Sequence, residues 1–215
     1  MKKVAVILSG CGHLDGAEIR ESVLTLLYLD KKNAEIEVFA PDINQHHVIN
    51  HLSGEETSET RNVLIESARI ARGKIAPLTD LKPDNFDALI MPGGYGAAKN
   101  LSDFAFKGAN AVVNDDLKKI VKSFLEARKP IGAICISPAV LVAAIKCGTV
   151  TIGDDEETAS AINQIGGKHL NCATNEICID EERKIVSTSA YMRDDSLAKI
   201  SDGIEQLVNK VIELI

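Results

Sequence analysis

The chain has 215 residues, 45% of them hydrophobic and 26% charged, with a net charge of −7. This balance suits a soluble globular protein with a sizeable core, and residues 1–215 read as a single domain. The acidic surface lacks a basic stripe and no apolar run could span a bilayer, so neither nucleic acid nor membrane is expected as a partner.

In chain order, strand and helix patterns alternate. The opening Met1-Lys-Lys-Val-Ala-Val-Ile-Leu-Ser-Gly-Cys11 has the charged and apolar parts of a signal peptide. Glycine and polar residues follow before any cleavage-type sequence, so it reads as a first strand. Residues 4–8 are continuously apolar, as in a strand covered on both faces. Residues 17–29 carry helical periodicity through Ile19, Val23, Leu26 and Leu27. Residues 35–40 form a second strand, stopped by Pro41-Asp42, and a polar connection with His46, His47 and His51 follows. A helix is predicted over 59–71 and a short extended piece over 74–77. A third buried strand, 87–91, ends at Pro92-Gly93-Gly94-Tyr95-Gly96. Helix 115–126 leads to strand 130–134, then Cys135, then an apolar helix with Pro138 in its first turn. A helix over 156–165 is closed by Gly166-Gly167. Segments 176–179 and 184–188 flank Asp180-Glu-Glu-Arg183, a hairpin signature. An amphipathic helix, 196–215, ends the chain. Such alternation implies a mainly parallel sheet with helices on both faces.

The five cysteines are odd in number and scattered. That pattern suits free thiols in a reducing cytosol better than a disulfide framework. No Cys/His spacing suggests a metal site, and no cofactor is expected.

In an open α/β sheet the site forms beyond the carboxyl ends of the strands. Cys135 falls there, at a strand-to-helix corner where the helix dipole favours thiolate, the nucleophilic form. The competing reading is a small apolar core residue. The Gly93–Gly94 loop can aim backbone N–H groups at an oxyanion. Glu18 reads as a complement to the dipole of the first helix. Glu21, one turn on, can reach Cys135 and stay protonated beside it. His51 admits two readings, a pocket residue or a loop histidine held by backbone. Tyr95 either closes the pocket or lies at the surface, and Asn100 either positions substrate or caps the loop. Cys11 reads as a resolving thiol or a passive loop residue. His13 and His46 face solvent. Cys147, Cys172 and Cys178 read as structural.

Three strings carry a resemblance: Gly16-Ala-Glu-Ile-Arg-Glu21, Ile90-Met-Pro-Gly-Gly94 with Ala98-Lys-Asn-Leu101, and Ala133-Ile-Cys135-Ile-Ser-Pro138. They look like the motifs of the PfpI-type branch of the class I glutamine amidotransferase-like superfamily. Ser9-Gly-Cys-Gly12, Val48-Ile-Asn-His-Leu52, Glu59-Thr-Arg-Asn-Val63 and Ala190-Tyr-Met192 extend the match nearly end to end. The chain most resembles the ElbB-type glyoxalases, also called isoprenoid-biosynthesis or enhancing-lycopene-biosynthesis proteins. The resemblance implies a flavodoxin-like three-layer sandwich and a homodimer. By motif position it makes Cys135 the nucleophile at an elbow and Glu21 its acidic partner. The N–H groups of Gly94 and Ile136 form the oxyanion hole. Ser137 stands where related elbows commonly carry Gly. An amidotransferase needs a late His-x-Glu, whereas the only later histidine is His169, so glutamine hydrolysis is not expected.

The expected activity is cofactor-independent conversion of a small dicarbonyl, glyoxal or methylglyoxal, to the 2-hydroxy acid through a Cys135 hemithioacetal. The alternative is a redox-sensing, chaperone-like or protein-deglycating stress protein that uses the same cysteine.

Overall fold

The apolar run near the start becomes β1 (Lys3–Ile7), and its neighbours show why it contains no polar break. Val4 and Val6 join one buried cluster while Ala5 and Ile7 join another, as alternating strand residues must when both faces are covered. The computed structural model describes residues 1–215. After β1 come α1 (Ile19–Lys31), β2 (Glu35–Ala40), α2 (Val63–Ile70), β3 (Ala76–Pro77) and β4 (Ala88–Met91). Two short helices, α3 (Tyr95–Lys99) and α4 (Phe104–Lys107), precede α5 (Asp115–Glu126), β5 (Ile131–Ile134) and α6 (Ser137–Ile145). The remainder is β6 (Thr149–Val150), α7 (Glu156–Ile165), β7 (Lys168–His169), β8 (Cys178–Asp180), β9 (Ile185–Thr188) and α8 (Leu197–Leu214).

Seven strands make one sheet in the order β3-β2-β1-β4-β5-β9-β8, and β6 pairs with β7 in a separate ribbon. Every pairing is parallel except β8 with β9, the hairpin foreseen at residues 180–183. Its turn is fixed by Asp180, whose Oδ1 accepts the Arg183 N–H at 3.0 Å. One face packs on Leu117 and Phe124 of α5 and Leu141 of α6. The other packs on Tyr28 and Leu29 of α1 and Ile204 and Leu207 of α8. This α/β, mainly parallel three-layer arrangement is the expected architecture.

Two local expectations change. Residues 59–62 are not helical. Gln45 N–H donates to the Arg61 carbonyl and Val63 N–H to the Ile43 carbonyl, both at 2.8 Å, so this stretch pairs with the connection after β2. The helix then starts at Asn62, whose side chain accepts the Ile65 N–H at 3.0 Å. The second change is the presence of α3 and α4, each too short to show periodicity.

The chain leaves β1 toward β2 and β3, then returns to β4 on the other side of β1. The crevice beyond the carboxyl ends of β1 and β4 is therefore the topological switch point. The Gly93–Gly94 loop ends β4, and Cys135 ends the adjacent β5.

Candidate active site

Cys135 turns the chain from β5 into α6 with φ +63°, a left-handed conformation that L residues rarely adopt. Its N–H donates to the Thr188 carbonyl at 2.9 Å, which anchors the elbow to β9. Ser137 tightens the same corner. Its buried hydroxyl donates to the Pro92 carbonyl at 2.7 Å, so the position usually held by Gly here ties α6 to the β4 loop. Only glycine fits at 93, because a Cβ there would lie 2.4 Å from Cys135 Cβ and 2.9 Å from Glu21 Oε2.

The sulfur accepts the N–H groups of Gly94 and Ile136 and contacts the Glu21 carboxyl. Glu21 is fully buried in the first turn of α1. Its Oε2 accepts the Gly93 N–H at 2.8 Å, and Oε1 lies 3.5 Å from the Tyr191 N–H. Glu18 caps α1 by accepting the Glu21 N–H at 2.6 Å, and its own N–H donates to the Gly93 carbonyl at 3.0 Å. The elbow, the glycine loop and the first helix are thus one hydrogen-bonded unit.

The electrostatics depart from the sequence reading. Burial pushes the Glu21 carboxyl up to about 8, helped by the charge of Glu18 and opposed by the Gly93 N–H. The Cys135 thiol is also raised, first by burial and then by the charge of Glu21. The helix dipole does not make Cys135 a resting thiolate, because desolvation outweighs it. Thiolate forms when Glu21 takes the proton. The Glu21 charge then disappears, and the Gly94 and Ile136 N–H groups hold the sulfur's.

Above the sulfur lies a cavity of about 510 Å³. Its walls include His13, Tyr95, Phe106, Tyr191, Met192 and the carboxylates of Glu18, Asp155 and Glu157, with no lysine or arginine. Tyr95 is a wall residue, half exposed, with the Lys99 ammonium 5.1 Å from its ring centre. Three expected pocket residues lie elsewhere. The His51 ring meets the Leu14 N–H at Nε2, 3.3 Å, and the Ile49 carbonyl at Nδ1, 3.0 Å, so it braces the loop after β1. Asn100 is a buried clamp. Its amide donates to the Ser9 and Asp15 carbonyls, each at 2.9 Å, and its oxygen accepts the His46 N–H at 2.9 Å. Cys11 is absent from the cavity lining and its charged neighbours are Glu66, Arg69 and Asp15. A resolving role toward Cys135 has no support in that placement. His169 sits on β7, outside the cavity, so it does not partner Cys135.

The sequence reading missed Glu18 as a contributor to Glu21, and Tyr191 as both wall and N–H donor. The string Ala190-Tyr-Met192 had marked that segment without assigning it a role. Asp155 and Glu157 carried no signal beyond helix capping.

Comparison with known proteins agrees with this fold. The model of the DJ-1/PfpI family matches residues 2–151. The rat protein named ES1 protein homolog, mitochondrial, is 46% identical over 99% of this chain and 84% of its own length. The human glutamine amidotransferase-like class 1 domain-containing protein 3, mitochondrial, is 45% identical over 99% of this chain and 83% of its own. The crystal structure of an isoprenoid biosynthesis protein with amidotransferase-like domain from Ehrlichia chaffeensis superposes with TM-score 0.94 at 44% identity, covering 100% of this chain and 99% of that one. More distantly, glyoxalase III of Candida albicans shares the fold, with TM-score 0.65 at 16% identity over 100% of this chain and 97% of that one. A deglycase of Thermococcus kodakarensis is 34% identical over 38% of this chain and 46% of its own length. The expected cytosolic location is overturned, since three relatives matched over 98–99% of the chain are named mitochondrial. Free thiols report a reducing compartment without saying which one.

Proposed function

This chain belongs to the DJ-1/PfpI family, and we propose that it converts glyoxal or methylglyoxal to the 2-hydroxy acid without added thiol. One observation carries the reading: Cys135 lies at the floor of the cavity, backed by the fully buried Glu21 and with two backbone N–H groups on the sulfur. Within the family, the reading proposed here is that of an ElbB-type glyoxalase.

The reactive form of the pair holds one proton. Glu21 takes it, and the Cys135 sulfur adds to an aldehyde carbon. The Gly94 and Ile136 N–H groups stabilise the oxyanion. Glu21 returns the proton to that oxygen, leaving a neutral hemithioacetal and a carboxylate. With its pKa near 8, this carboxylate is a stronger base than an ordinary one. It removes the C–H proton of the hemithioacetal carbon, giving an enediolate whose hydroxyl proton passes to the neighbouring oxygen. Glu21 then delivers the C–H proton to the neighbouring carbon, and the former aldehyde carbon becomes a thioester. Water cleaves the thioester, releasing glycolate or lactate and the thiol. Each step moves a proton or an electron pair within the pair and the substrate.

The cavity, at about 510 Å³, is far larger than a two-carbon dialdehyde. That favours a second reading on the same residues, removal of an early dicarbonyl adduct from a side chain. The homodimer belongs to this proposal, and light scattering checks it.

The test follows glyoxal and glycolate by chromatography without added thiol. The wild type is expected to convert glyoxal, while folded Cys135→Ser and Glu21→Gln do not. Conversion by Cys135→Ser refutes the mechanism. Release of adducts from a glycated peptide, with free glyoxal untouched, selects the second reading.

A further inference from the structure

A second pair of reactive groups lies away from the cavity. Cys172 is partly exposed and Cys178 is buried at the start of β8. Both are free, and Cys172 is the charged neighbour that acts most on the Cys178 thiol. The segment between them is a closed turn. The Glu176 N–H donates to the Ala173 carbonyl at 3.0 Å, and the Ala173 N–H donates to Glu176 Oε2 at 2.9 Å. The turn brings the two cysteines toward each other from its two arms.

The turn is also joined to the site. Its Glu176 carbonyl accepts the Thr188 hydroxyl at 2.9 Å, and the Thr188 carbonyl accepts the Cys135 N–H at 2.9 Å. On the other side, Arg193 Nε donates to the Cys172 carbonyl at 3.0 Å. Arg193 directly follows Met192, a wall of the cavity.

We infer that Cys172 and Cys178 form a reversible intramolecular disulfide, a modification site separate from Cys135, and that its formation alters the reactivity of Cys135. The order of events follows from burial. Burial and the neighbouring Cys172 charge push the Cys178 thiol up to about 11, and Cys172 reaches the surface. Cys172 therefore meets the oxidant, a small-molecule disulfide such as oxidised glutathione. The Cys172 thiolate attacks one sulfur, forming a mixed disulfide and releasing one glutathione thiol. Cys178 loses its proton and attacks the Cys172 sulfur, releasing the second. The protein gives up two electrons and two protons, and oxidised glutathione becomes two thiols.

Trypsin leaves both cysteines in a single peptide, 169–183, with no other cysteine. The purified full chain is incubated with oxidised glutathione, blocked with iodoacetamide and digested without reductant. The expected peptide is lighter by two hydrogen atoms and carries no alkyl group, and dithiothreitol restores both alkylation sites. Cys172→Ser is expected to abolish the linked form. Because Cys178 is buried, Cys178→Ala serves as a second variant, and the wild-type digest decides the matter if either fails to fold. The alkylation rate of Cys135 is expected to differ at least threefold between reduced and linked protein. Two alkylated cysteines after oxidation, or a mixed disulfide at Cys172 that never resolves, overturns the disulfide. A linked peptide with an unchanged Cys135 rate overturns the coupling.

Discussion

Replacing Glu21 by Gln separates what this carboxyl does for the reaction from what it costs the fold. The group titrates near 4.5 when unfolded and at about 8 in the folded chain, because it is fully buried. Its folded value is the higher one, so the native state binds the extra proton. Stability is therefore greatest below pH 4.5 and falls as pH rises through about 8. At about 1.36 kcal/mol per pH unit, the whole window amounts to about 5 kcal/mol, of which about 3 is lost by pH 7. Glutamine carries no charge and escapes that loss. It retains an acceptor for the Gly93 N–H but turns an amide NH2 toward the Tyr191 N–H, at a cost of about 1 kcal/mol. Glu21→Gln is thus expected to be about 1 kcal/mol less stable than wild type at pH 4.5 and about 2 kcal/mol more stable at pH 7. For a chain of 215 residues the gain at pH 7 is a rise of about 4–8 °C in Tm. Urea unfolding from pH 4.5 to 9 measures both curves, and the sign of the difference should change within that range. Curves that stay parallel at every pH refute the protonated, buried carboxyl. Turnover runs the other way: the variant lacks the proton carrier, and kcat should fall by about 10²-fold or more. The wild-type kcat/KM should rise about tenfold per pH unit below pH 8 and level above it, as the pair loses its first proton.

Four other outcomes follow from the same geometry. Gly93→Ala puts a methyl 2.4 Å from Cys135 Cβ, so urea unfolding should show a loss of about 3 kcal/mol, with the elbow displaced and turnover lost. Because Cys135 sits at φ +63°, Cys135→Gly should be about 1 kcal/mol more stable than Cys135→Ala in the same assay. Asn100→Ala strands the Ser9 and Asp15 carbonyls and the His46 N–H, costing about 3 kcal/mol, while turnover per folded molecule stays within a few fold. The cavity presents Glu18, Asp155 and Glu157 and no cationic side chain, so anionic glyoxylate should be processed at least tenfold more slowly than glyoxal in a side-by-side kcat/KM comparison.

The order of strands and helices was legible because its signals are local. The apolar run at 4–8, the alternation near 178–188 and the capped helix at 115–126 each depend on neighbours in sequence. Even the meeting of Cys135, Glu21 and Gly94 followed from topology, since parallel strands deliver all their carboxyl ends to one edge. The loop residues were harder to assign. His51, Asn100 and Cys11 all follow β1, β2 or β4, as pocket residues do. What separates them is the bracing of one loop against another, seen in the Asn100 amide between Ser9 and Asp15. No spacing rule encodes a contact between segments that far apart.

The protonation state of the nucleophile was the deepest miss, and its cause is general. A strand-to-helix corner announces a dipole that favours thiolate, and sequence shows the dipole but not the desolvation that opposes it. Cys135 is 7% exposed and Glu21 is 0% exposed. At that depth a negative charge on either group costs more than a helix terminus returns, typically about 1 kcal/mol or less at exposed sites. The two groups resolve this by sharing a charge. Glu21 can be anionic only beside a thiol, and Cys135 only beside a carboxylic acid. The redox reading at Cys135 assumed an exposed cysteine of lowered pKa, whereas burial pushes this thiol up. Exposure and a thiol neighbour occur together instead at Cys172, outside the cavity. On the two proposals made above, the carbonyl-directed and oxidant-directed cysteines are separate, and the hydrogen bonds through Thr188 give the second a route to the first.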